Sequence, residues 1–202
     1  MDGSALLLLS LNFACIGALP RVFFRSDGRL NVKWWLTAWP FFLCPALVVL
    51  AAVLGREPLA PVGWRTGLDL LAVVLDAASI ALIFLTLGTH RVPLALWHQD
   101  DDAPRHLVTH GAYRRIRHPF YSAFLLAFLA ALCVWPHWVT AAFAVYGFAA
   151  LRSTAVREER RLAASEFGAQ YRSYLARSGR FFPRLGRIPA DGTPAAAAAV
   201  EH

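Results

Sequence analysis

Between His110 and Tyr121 the chain reads His110-Gly111-Ala112-Tyr113-Arg114-Arg115-Ile116-Arg117-His118-Pro119-Phe120-Tyr121, and an unbroken apolar run starts straight after Pro119. Three arginines, two histidines and two tyrosines are thereby held at the mouth of an apolar segment, which suits the binding of a charged small molecule at a lipid–water boundary. Pro119 lacks an N–H and has φ pre-set near the helical value, so it fits the first turn of a helix beginning there. Gly111 permits a tight approach or a positive φ in the loop before it. A second pair of titratable groups, Glu158-Glu159, stands downstream. Glu159, Ala163, Phe167, Tyr171 and Tyr174 recur every three or four positions and share a helical face whose apolar members would turn inward and draw Glu159 with them. Glu158 falls on the adjoining stripe with Leu162. The alternative is a solvated helix on which both glutamates pair with Arg161 and its neighbours.

The elements that must carry these groups follow from composition. Of 202 residues 57% are hydrophobic and 16% charged, too little polar surface for a soluble domain to cover its core. The apolar residues come in long blocks, which predicts an all-α integral membrane protein with five transmembrane helices and a cytoplasmic C-terminal amphipathic helix. The spans fall at about Ser4–Leu19, Trp34–Leu54, Thr66–Gly88, Pro119–Val134 and Val139–Leu151, the last two forming a hairpin. A charged helix over Arg152–Arg180 completes one membrane-embedded domain over residues 1–185, and Gly186–His202 reads as a flexible tail. The first segment lacks a basic leader and reads as a mature helix, not a signal peptide. Trp34, Trp35 and Trp39 suit the headgroup level, and Pro40 and Pro45 should kink the second span.

All basic residues but Arg56 and Arg65 fall on one side of the five-span arrangement. The positive-inside rule puts that side in the cytoplasm and the N-terminus outside. The His118 and Glu158 regions then share a membrane face. The net charge of +7 tracks segment ends, so nucleic acid is not an expected partner. Cys15, Cys44 and Cys133 lie inside apolar runs without a metal or disulfide spacing, and no metal site is expected. Arg114, Arg115 and Arg117 also suit anchoring to anionic lipid, and His118 could cap the fourth span. Asp76, in mid-span, is either functional or hydrogen-bonded to a neighbouring helix. Asp100-Asp101-Asp102 reads as a solvated loop.

Several spaced blocks resemble one family in its order. Leu107-Val108-Thr109-His110-Gly111-Ala112-Tyr113 followed by Arg117-His118-Pro119-Phe120-Tyr121 is similar to the LVTxGxYxxxRHPxY signature of isoprenylcysteine carboxyl methyltransferases, whose RHPxY core the wider phospholipid-methyltransferase-like family shares. Glu158-Glu159-Arg160-Arg161-Leu162 looks like EExxL, Phe167 to Tyr174 like FGxxYxxY, and Arg180-Phe181-Phe182-Pro183 like the closing element. The resemblance covers about Leu107 to Pro183. It implies methyl transfer from S-adenosylmethionine; the arginine and alanine bias of the composition points to a bacterial source, and so to an inner membrane. By position, Leu107, Val108, Tyr113, His118, Pro119, Phe120 and Tyr121 would line the cofactor pocket, with Glu158 on the donor's ammonium. Arg105, His106 and Arg117 join that set, Arg105 standing where the family often has a histidine. Thr154 occupies the place of an expected arginine, leaving Arg152 and Arg157 as the cations for an acceptor carboxylate.

The residue chemistry is compatible with that donor, because a carboxylate meets an ammonium and tyrosine faces attract adenine or a sulfonium. A carboxylate acceptor is already ionised at neutral pH and needs only positioning by arginine. An amine or thiol needs a base, for which Glu159 or His118 would serve. The expected partners are a lipophilic or prenylated acceptor entering from the bilayer and the membrane lipids. Alternatives are a phospholipid or thiol methyltransferase of the same family, an NADPH-dependent membrane enzyme of the sterol-reductase kind, and a non-catalytic membrane protein.

Overall fold

The computed structural model describes residues 1–19, 23–24, 27–89 and 107–184. Arg105, His106, the Asp100-Asp101-Asp102 run and the tail over 186–202 lie outside the described residues. Six α-helices make up the described chain: α1 Gly3–Gly17, α2 Val32–Val53, α3 Val62–Thr89, α4 Pro119–Val134, α5 Trp138–Ala164 and α6 Gly168–Arg177. No strand runs through the described residues, and a single 3-10 turn at Gly111–Arg114 precedes α4.

Local chemistry sets the starts of four of the six helices. Asp2 accepts from the backbone N–H groups of Ser4 and Ala5 at 2.9 and 3.1 Å to start α1, and Asn31 accepts from Trp34 N at 3.2 Å to start α2. Each satisfies an orphan amide of a helix N-terminus. α2 runs on through Pro40 and Pro45. Pro119 opens α4 as its first residue. At α5, His137 Nδ1 accepts from Val139 N and Thr140 Oγ1 accepts from His137 N, both at 3.3 Å.

α4 lies at the centre and packs against α1, α2, α3 and α5. Its Phe124 and Phe128 meet Phe41 of α2 with ring centroids 4.9 and 4.8 Å apart. Trp34, at the start of α2, is 1% exposed, its ring packing edge-on against Phe23 and Trp35. The outward faces are apolar, with Val53, Val62 and Val145 all at least 70% exposed. Such a surface marks a membrane protein. α2, α3 and α5 are long and apolar enough to cross a bilayer, while α1 and α4 are shorter apolar helices.

The charged helix expected over Arg152–Arg180 is not one element. Its first part continues α5, and the chain breaks at Ser165 before α6 begins at Gly168. A Cβ at Gly168 would lie 2.5 Å from the carbonyl oxygen of Ala163, so the tight reversal there needs glycine. The apolar side chains of α6 still turn inward, with Tyr171 and Tyr174 each 2% exposed. α5 has 27 residues against 16 in α4, so it runs about 16 Å past its partner at ~1.5 Å per residue. That overhang, charged from Arg152 onward, carries Glu158 and Glu159 beside the N-terminus of α4.

Candidate functional site

The overhang of α5 and the segment before α4 face each other, and a strand-like strap after α6 locks them together. Arg117 N donates to Gly179 O at 2.8 Å, Gly179 N to Arg115 O at 2.9 Å and His118 N to Arg180 O at 3.1 Å. Ser122 Oγ reaches Phe181 O at 2.6 Å from inside α4. The 3-10 turn is seated on the end of α3. Gly111 has φ +57°, and a Cβ there would lie 2.2 Å from Thr89 Oγ1, the atom that accepts from Ala112 N at 3.2 Å. Tyr174 of α6 donates to Tyr113 O at 2.5 Å, tying α6 to the same turn.

Glu159 is the hub. Its Oε1 accepts from Arg117 Nε at 2.9 Å and Arg180 Nε at 3.0 Å, and its Oε2 from Arg180 Nη2 at 2.7 Å. His118 Nε2 lies 3.3 Å from the same Oε1. Arg117 also donates through Nη1 to Ser178 O. Burial alone would raise the Glu159 pKa, but hydrogen bonds from His118, Arg180 and Arg117 outweigh it and hold the carboxyl well below the usual range. This is an ionised carboxylate with its acceptor sites filled.

Glu158, one residue away, is treated differently. Tyr121 OH donates to its Oε1 at 2.7 Å, and His118 Nδ1 lies 3.4 Å from its Oε2. Among the described residues no arginine or lysine makes an ion pair with it; Arg157 and Arg161 act on it only from further off. Burial therefore prevails and pushes its pKa up to about 7. Burial also lowers the pKa of His118, against the pull of Glu159. The imidazole lies parallel to the Tyr121 ring, centroids 5.2 Å apart. Tyr113 is buried near enough to Glu158 that burial, then Tyr174 and Glu158, raise its phenol pKa.

The structure thus brings together Tyr113, Arg117, His118, Tyr121, Glu158 and Glu159. The solvated pairing of both glutamates along their own helix does not form, because the overhang is covered by the 115–118 segment and the strap. His118 makes no side-chain cap to α4, its ring being taken up by the two carboxylates. Pro119 and Phe120 are buried at the start of α4, and Leu107 and Val108 are half-buried in the approach to the turn. Arg152 and Arg157 are exposed on α5. Arg157 donates to Ser153 Oγ at 2.6 Å and Thr154 Oγ1 at 3.0 Å, while Arg152 makes no hydrogen bond or ion pair among the described residues. The sequence presents Arg180 only as part of a closing motif, and its grip on Glu159 is visible in the fold alone.

What this arrangement can hold is a cation. Glu158 is a half-buried carboxylate without a paired arginine or lysine among the described residues, flanked by aromatic rings that can face a planar or positively charged group. An ammonium and a flat base in one ligand, as in S-adenosylmethionine, fit those residues. Among the described residues no three of His, Cys, Asp and Glu stand together as metal ligands.

The chain is 31% identical over 125 residues to the cobalt-zinc-cadmium resistance protein CzcN of Cupriavidus metallidurans, a match covering 58% of this chain and 57% of that protein. The chain thus spans a little over half of that relative's length. No known family profile matches the chain, and no solved structure does.

Proposed function

We propose that this protein is an integral-membrane methyltransferase that moves a methyl group from S-adenosylmethionine to a lipophilic acceptor, most like the C-terminal carboxylate of an isoprenylated cysteine. The observation that carries the reading is Glu158, half-buried beside Tyr121, His118 and Tyr113 with no arginine or lysine paired to it among the described residues. In this reading Glu158 holds the donor's ammonium, and the faces of Tyr113 and Tyr121 lie against adenine or sulfonium. Arg117, Arg180 and Glu159 keep the segment before α4 closed on α5. The donor supplies a methyl carbon activated by positive sulfur; the acceptor's lone pair forms the new bond as the carbon–sulfur bond breaks, its electrons passing to sulfur. The protein's share is to position the acceptor about 3–3.5 Å away and keep water out.

Arg152 is the cation for an acceptor carboxylate. It lies seven residues before Glu159, on nearly the same helical stripe and about 10 Å nearer the bundle, with its guanidinium uncommitted among the described residues. Five membrane spans complete the reading, α1 and α4 joining the three long helices, in a bacterial inner membrane with the site and C-terminus in the cytoplasm. Calorimetric titration of the detergent-solubilised protein tests the donor, with S-adenosylmethionine expected to bind and NADPH not. NADPH binding alone would replace this reading with the reductase one. An S-farnesylated cysteine derivative with a free carboxylate should accept the methyl group, and its methyl ester should not. The relative named for metal resistance supplies a second reading, direct metal handling, which zinc titration in the same calorimeter checks.

A further inference from the structure

His118 stands between two carboxylates, and its neighbours dictate where its protons go. Its Nε2 is 3.3 Å from Glu159 Oε1 and its Nδ1 is 3.4 Å from Glu158 Oε2. Glu159 is gripped by Arg117 and Arg180 and can only accept, so the hydrogen of a neutral imidazole belongs on Nε2. That leaves Nδ1 facing Glu158 Oε2. With both groups bare, two lone pairs would oppose each other inside a buried site, an arrangement that costs more than a shared proton. Glu158 Oε1 is already satisfied by the Tyr121 hydroxyl, so the extra proton lies between Oε2 and Nδ1, on one atom or the other.

We infer that Glu158 and His118 share one extra proton before a ligand binds, and that a ligand ammonium displaces it, so that donor binding releases a proton. Resting on the donor reading above, this adds a property of the same site. An ammonium brought to Glu158 competes directly with the proton there. Once Glu158 is ionised and paired with the ligand, His118 is left neutral with Nε2 toward Glu159. Among the described residues, every charged or titratable group that faces the pair belongs to this balance. Arg117 comes from the segment before α4, Tyr113 from the 3-10 turn and Tyr121 from α4. Arg157, Glu159 and Arg161 come from α5, Tyr171 and Tyr174 from α6, and Arg180 from the strap. The pKa of Glu158, near 7, sets the range in which the effect is measured. Affinity should then be about fivefold higher at pH 7 than at pH 6, since fewer sites hold the competing proton.

The test is calorimetry on the full chain in detergent at pH 6, run in cacodylate and in bis-Tris, whose heats of ionisation differ. S-adenosylmethionine should release nearly one proton per molecule bound, read as a buffer-dependent enthalpy. Methylthioadenosine, which keeps the nucleoside and sulfur but has no ammonium, should bind with the same enthalpy in both buffers. Glu158→Gln should bind the donor more weakly and release no proton, with methylthioadenosine binding as the check that it folds. If that variant does not fold, the wild-type buffer comparison decides by itself. Donor binding with identical enthalpies in the two buffers overturns this inference and leaves the donor reading standing. No donor binding at any pH overturns both.

Discussion

Glu159 and Asp76 are both buried acids, 8% and 0% exposed, and the chain accommodates them in opposite ways. Around Glu159 it gathers charge: Arg117 from before α4, Arg180 from the strap, and the His118 ring. Around Asp76, midway along α3, it gathers only neutral dipoles. Asn12 of α1 donates to Asp76 Oδ1 at 2.6 Å, and Ser79 Oγ lies 3.0 Å from Asn12 Oδ1 and 2.8 Å from Ala123 O of α4. Asp76 Oδ2 has no partner among the described residues. The first cluster joins segments distant in sequence at the end of the bundle; the second joins three helices at its middle. A charged hub is strong but intolerant of losing one member, whereas a neutral network in an apolar bundle is worth little per bond and degrades gradually.

The sharpest way to break this contrast is Glu159→Gln. It removes one charge and leaves Arg117 and Arg180 facing each other across a neutral amide. Breaking a buried pair by deleting one partner costs about 3 kcal/mol or more; the 32% exposure of the Arg180 side chain sets the expectation at the low end. Thermal unfolding in detergent should show the loss, and limited proteolysis should cut near the strap first. A variant as stable as the parent would mean the strap is held by its backbone pairing and Ser122 alone.

Glu158→Gln comes next and separates the two glutamates by what they lose. Glu158 has no cation to strand, so stability should hold while donor affinity falls. A charge-assisted hydrogen bond contributes about 2 kcal/mol, or roughly 30-fold in dissociation constant, read by calorimetry at neutral pH. Equal affinity in parent and variant would remove Glu158 from the site.

Acid exposes the same difference more gently. The folded-state pKa of Glu159 is depressed, so its contribution is present above its unfolded value of about 4.3 and drains away as pH falls below that, by at most about 1.4 kcal/mol per pH unit. Glu158 acts in the opposite sense, because its raised pKa favours the folded state as pH falls from about 7 toward 4.3. Unfolding midpoints between pH 5 and 3 should fall more steeply for the parent than for Glu159→Gln. Parallel slopes would show that other carboxylates carry the acid sensitivity.

How much of this was legible in the sequence depends on the range of the interaction. Apolar blocks and Pro119 place α4 to the residue, and the spacing of Glu159 with Tyr171 and Tyr174 marks an inward face even though the helix expected there is broken. The break is invisible to periodicity, since apolar spacing continues across Ser165–Phe167 and only Gly168 hints at it. The pairing of residues 115–118 with 179–180 is a backbone contact across more than sixty positions, and no side-chain pattern encodes it. The partition of roles between Glu158 and Glu159 is hidden for the same reason. The two residues are identical and adjacent, and only the arrival of Arg180 at one of them makes them different.

The smallest effect should come from Asp76→Asn, and its size decides whether the two buried acids are of different kinds. The asparagine keeps an oxygen to accept from Asn12, and its amide nitrogen replaces Oδ2, which has no partner to lose. No opposite charge is stranded, so the change in stability should stay under about 1 kcal/mol, the usual worth of an interhelical hydrogen bond in a membrane protein. Asn12→Leu should cost more, because it strips Asp76 of its donor and Ser79 of an acceptor together. The telling measurement is the order of the two by thermal unfolding, with methyl transfer followed in parallel. If Asp76→Asn proved the costlier, or abolished turnover in a well-folded protein, then the negative charge itself would be in use at mid-bundle. Asp76 would then be a second functional acid and not a neutral cross-helix tie.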